Sequence, residues 1–107
     1  MPLVEGQPGE VVLRKPDDAA LIIEACLSER VNAALLYPEN LTARFFDLSS
    51  GEAGAVLDKL RRFQIRLAVV CAPGSVRFSS RFHEFTADDF RVFESRAAAC
   101  RWLADKR

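Results

Sequence analysis

The chain has 107 residues, half of them hydrophobic and 28% charged, a balance that fits neither a disordered chain nor a membrane-embedded one. Fifteen basic residues meet fifteen acidic ones, so the basic excess of a dedicated nucleic-acid binder is absent. The length fits a single domain over residues 1–107 with a core of its own.

The first elements read as extended. Leu3–Glu5, a turn-rich spacer Gly6-Gln7-Pro8-Gly9, and the β-branched run Glu10–Arg14 predict a hairpin at the edge of a sheet. Pro16-Asp17-Asp18 then starts a helix, with an acidic residue placed to cap free N–H groups. Ala19, Ile22, Ile23, Cys26 and Leu27 recur at helical spacing and predict a helix over 17–30. Ala33–Tyr37 is a short apolar run without alternation, which suits a strand covered on both faces. Asn40 is placed to cap the turn that follows, through Phe46.

The clearest helix follows. Ala53, Val56, Leu57, Leu60 and Phe63 form one apolar face, with Glu52, Asp58, Lys59, Arg61 and Arg62 off it. Ile65–Cys71 carries one charge, Arg66, and reads as the central strand. Phe78, Phe82 and Phe85 mark a helix over 76–86, Phe90–Phe93 a last strand, and Glu94-Ser95 the cap of a final helix burying Ala99, Trp102 and Leu103. The order is β-β-α-β-α-β-α-β-α, an α/β fold with a mostly parallel central sheet, an N-terminal hairpin edge and helices packed against it.

Chemistry-bearing residues are sparse. Cys26, Cys71 and Cys100 are odd in number and widely spaced, which makes neither a disulfide framework nor a zinc pattern. Each sits among apolar neighbours and is expected to be reduced and buried. The single histidine, His83, lacks ligand partners in sequence. No metal site, no cofactor and no catalytic residue is expected. Glu39 and Asp47 flank Phe45-Phe46, but nothing near them supplies a nucleophile. Ser49-Ser50-Gly51 stands immediately before the strongest helix, where free N–H groups and the helix dipole favour an anion. It reads as a cap or as a phospho-acceptor and anion site. Cys71 lies at the carboxyl end of the central strand, where open α/β sheets bind ligands. With Asp47 and Ser75 it makes a second candidate site for a ligand or a partner.

The run Glu39-Asn40-Leu41-Thr42-Ala43-Arg44-Phe45-Phe46-Asp47-Leu48-Ser49-Ser50-Gly51-Glu52-Ala53-Gly54, followed by Arg66-Leu67-Ala68-Val69-Val70, resembles a bacterial family of about this length, described as a domain of unknown function. The resemblance is dense over roughly residues 35–71. It departs after the central strand, where the family often has Gly-Asp and this chain has Cys71-Ala72. It departs again at Thr86-Ala87-Asp88-Asp89, where the family shows a short basic turn. At one remove the pattern is similar to the STAS fold of anti-sigma-factor antagonists, in which a partner kinase phosphorylates a serine in D-S-S-G. Asp47-Leu48-Ser49-Ser50-Gly51 corresponds, with one extra residue.

These features favour a non-catalytic regulatory or protein-interaction module, with the Ser49-Ser50 turn as a possible phospho-switch. The alternative is a small-ligand binder or small enzyme using the sheet end near Cys71–Ser75. Near-neutral charge also allows a homodimer. Neither nucleic acid nor membrane is expected as a partner, and the opening Met1–Gly6 lacks the features of a secretory leader, so a cytoplasmic location is expected.

Overall fold

A computed structural model describes residues 3–7, 9–42, 44, 45, 51–71 and 90–104. Among these residues, four strands form one sheet: β1 (Val4–Glu5), β2 (Ala33–Leu36), β3 (Arg66–Val70) and β4 (Phe90–Phe93). Every neighbouring pair is parallel, in the order β1-β2-β3-β4. Among the described residues, three α-helices accompany them: α1 (Ala19–Glu29), α2 (Glu52–Arg61) and α3 (Arg96–Ala104). The helix expected over 76–86, with its Phe78/Phe82/Phe85 stripe and His83, lies outside the described residues.

Strand alternation divides the core. Ala34, Leu36, Leu67, Val69 and Phe90 point to one face, against Ala19, Ile22 and Cys26 of α1 and Ala53, Val56, Leu57 and Leu60 of α2. Ala33, Leu35 and Ala68 point to the other, against Ala99 and Leu103 of α3. The sheet is thus covered on both sides, which is why β2 and β3 read as continuous apolar runs. Phe45 packs edge-on against Phe90, with ring centroids 6.1 Å apart. The central strand is where its composition put it: β3 lies between β2 and β4.

Three local expectations are corrected. First, residues 10–14 do not pair with β1 in a hairpin. β1 joins the sheet parallel to β2, and the 10–14 segment makes a single parallel bridge, Leu13 to Leu41. Two of its amides go instead to one carbonyl: Val12 N and Leu13 N both donate to Asn40 O, at 2.8 and 3.0 Å. Second, Asp18 does not cap α1; its carboxylate accepts the Arg14 amide at 3.0 Å, fixing the turn before the helix. Third, Phe63 is not on the buried face of α2. The helix ends at Arg61 and Phe63 is left 48% exposed.

The ends of α1 and α2 share a device. Val31 N donates to Cys26 O and Ile65 N to Leu60 O, each closing a helix through a left-handed residue, Arg30 (φ 59°) or Gln64 (φ 57°). Both residues pay a steric penalty that glycine does not. Arg30→Gly and Gln64→Gly should therefore each stabilise the fold, by about 0.5–1 kcal/mol. Urea midpoints of the two variants measure it, and a loss in both would contradict this reading. At the last helix the sequence expectation holds, since Ser95 Oγ accepts the Ala98 amide at 3.2 Å.

Candidate functional site

The carboxyl ends of parallel strands are where α/β sheets gather ligand groups. Here that end carries Glu5 as the last residue of β1, Tyr37 after β2, Cys71 after β3 and the Phe93-Glu94 exit of β4. Gly51 holds the N-cap position of α2 in the left-handed region (φ 76°), in open space. A side chain there would meet no neighbour, so glycine is favoured by backbone conformation alone. Glu52, in the first turn, is salt-bridged to Arg44 at 2.9 Å and places a carboxylate where the helix dipole favours one. Asp47, Ser49, Ser50 and Ser75 lie outside the described residues, so of the two candidate sites only Gly51 and Cys71 are placed.

Cys71 is buried, and its amide donates to Phe93 O at 2.7 Å, extending the β3–β4 ladder by one rung. Burial in apolar surroundings pushes its thiol up to about 11. Cys26 is buried too, its thiol pushed up by the same desolvation, and Cys100 is half-buried. All three are free thiols. Among the described residues no cluster of three or more His, Cys, Asp or Glu side chains is placed to hold a metal ion.

Two polar constellations escaped the sequence reading. The first joins β1 to α3. Arg96 grips Glu5 with two hydrogen bonds, Nε to Oε2 and Nη2 to Oε1, both 3.0 Å, and the Tyr37 hydroxyl donates to the same carboxylate. The Arg96 hydrogen bonds, then that from Tyr37, hold the Glu5 carboxyl below its usual 4.5. Burial, and then the nearby Glu5 carboxylate, raise Tyr37. Because the folded-state value of Glu5 is depressed, its contribution is complete above the unfolded value and is lost as pH falls below about 4.5 through the folded value. Thermal midpoints from neutral to acid pH should fall less steeply for Glu5→Gln than for wild type. Equal slopes would show that the contact does not form in solution.

The second constellation is Asn40, fully buried at 0% exposure. Its Oδ1 accepts the Tyr37 amide at 2.8 Å, and its Nδ2 donates to Gln7 O at 2.8 Å and Glu10 O at 2.7 Å. With its own carbonyl accepting Val12 and Leu13, this residue fastens the whole 7–13 crossing. The carboxylate of Glu39 beside it accepts the Gly9 amide and ties down the same crossing.

A family of domains of unknown function, DUF4180, matches residues 1–103. The chain belongs to the DUF4180 family. In this DUF4180 domain the match spans every strand and helix described above, from β1 into α3. No curated protein and no solved structure matches it. Among its described residues, no helix is long and apolar enough to cross a membrane.

Proposed function

We propose that this DUF4180 chain acts as one domain in the cytoplasm, as a non-catalytic regulatory or protein-interaction module, with the Ser49-Ser50 turn as its switch. The observation that carries the reading is Cys71. At the strand end where a nucleophile would sit, the described residues offer a buried thiol pushed up to about 11, which stays protonated at neutral pH. Of the charged groups at that end, Glu5 and Arg96 are bound to one another, with Tyr37 completing the pair. The STAS likeness of the serine turn supports a phospho-switch at the head of α2, where added negative charge meets the positive helix end.

Ser49→Asp and Ser50→Asp should leave stability within about 1 kcal/mol of wild type while creating or abolishing capture of a partner from the native host. If neither aspartate nor alanine at these positions changes any interaction, the turn is a helix cap and the switch is rejected.

A further inference from the structure

The elements on the α3 side of the sheet are rich in arginine. β3, β4 and α3 together hold Arg66, Arg91, Arg96 and Arg101 and no acidic residue, in a chain whose charges balance overall. α1, on the opposite face, holds Glu24 and Glu29 and no basic residue. Arg96 is engaged with Glu5. Of the other three, Arg66 and Arg91 lie by Trp102 and Arg101 lines a groove with it. The Arg66 guanidinium lies 4.1 Å from the indole ring centroid and that of Arg91 5.9 Å, both within cation–π range. Phe93 packs against the same indole, ring centroids 5.6 Å apart. Beside it runs a shallow, open groove lined by Ala98, Arg101, Trp102 and Ala104. Arg91 and Arg101 are exposed and Trp102 is half-buried.

The structural reading of these arginines is that their stems cover a sheet face too wide for one helix. That accounts for Arg66, which is half-buried against the indole. It leaves two exposed arginines near a partly open tryptophan, Arg91 by its ring and Arg101 on the groove, and tryptophan and arginine are the residue types that carry most binding energy at protein interfaces. A positive patch repels basic partners and steers acidic ones. Two exposed arginines are too few for nucleic acid, whose binders neutralise several phosphates at once.

We propose that the Trp102 groove docks an acidic segment of a partner protein, with Arg91 and Arg101 holding carboxylates and Trp102 packing its apolar part. This deepens the interaction-module reading and rests on it. Trp102 is the only tryptophan of the chain, so its emission reports the groove directly.

The test titrates the full chain with an oligoglutamate peptide, with oligolysine and oligothymidylate in parallel. The expected result is a saturable change in Trp102 emission with oligoglutamate alone, weakened by salt. The R91A/R101A double variant, with an unchanged melting midpoint, should bind about fivefold more weakly. No response, equal binding by the double variant, or equal or tighter binding of oligothymidylate would overturn the proposal. So would emission that changes with protein concentration alone, since the groove would then be covered by a second copy. A flat titration beside a serine-responsive partner sinks this dock and spares the module reading; a Trp102 response with no such partner does the reverse.

Discussion

Asn40→Asp should cost about 3 kcal/mol or more and lower the thermal midpoint by roughly 12–24 °C for a domain of this size. The substitution changes one atom's chemistry and almost no volume. Aspartate keeps the acceptor that serves the Tyr37 amide. It replaces the amide nitrogen that donates to Gln7 O and Glu10 O with a second oxygen, facing two carbonyls in a site with no solvent exposure. A charged carboxylate there is buried without a donor. A protonated one serves at most one of the two carbonyls. Burial raises the carboxyl's folded-state value above the unfolded one, so the loss should grow as pH rises and shrink toward acid pH. Urea unfolding at mildly acidic and mildly alkaline pH gives both the size and the sign. A variant within about 1 kcal/mol of wild type at both pH values would mean that Asn40 is not the fastening point.

Gly6→Ala should cost about 2–3 kcal/mol, the scale of overpacking a filled site. Gly6 is not in the left-handed region, so backbone freedom is not what selects glycine there. Space is. A Cβ at this position would lie 2.5 Å from Asn40 Cγ and closer still to Oδ1. A free side chain would swing away, but this one is held by three hydrogen bonds. Relief requires breaking them or pulling β1 from β2, where Gly6 N donates to Leu35 O at 2.9 Å. The same substitution made in an Asn40→Ala background should cost under about 1 kcal/mol, because the obstructing atoms are gone; the cycle should therefore be strongly non-additive. An equal cost in both backgrounds would show that the obstruction lies elsewhere.

These two residues show where a sequence can be read and where it cannot. β3 and α2 were legible because their signals are local: an apolar run with one charged residue, and an apolar face at helical spacing. The parallel pairing of the strands followed from strands separated by helices. The 10–14 segment misled because β-branched apolar composition reports burial, and Leu13 is indeed buried at 2%. It does not report where the amides go, and here those of Val12 and Leu13 go to the Asn40 carbonyl rather than to a neighbouring strand. Phe63 misled because the periodicity was carried past Arg61, where the chain turns out of the helix. Glu5, Tyr37 and Arg96 left no trace in periodicity, since a contact spanning 91 residues has no local pattern. Of the candidate site, Cys71 was placed correctly at the end of the central strand. Its environment, which decides its chemistry, comes from β4 and the packed core and was not in its own segment.

The most direct test of a non-catalytic module is the reactivity of its thiols. With a thiol reagent at neutral pH, Cys100, which is half-buried, should label fastest, while Cys26 and Cys71 should label only as fast as the folded protein opens. All three should label at once in denaturant. That pattern is the one a buried Cys71 pushed up to about 11 requires. Labelling of Cys71 in the native protein as fast as an exposed thiolate, at a pH well below that value, would contradict the account and put an active nucleophile at the end of the central strand.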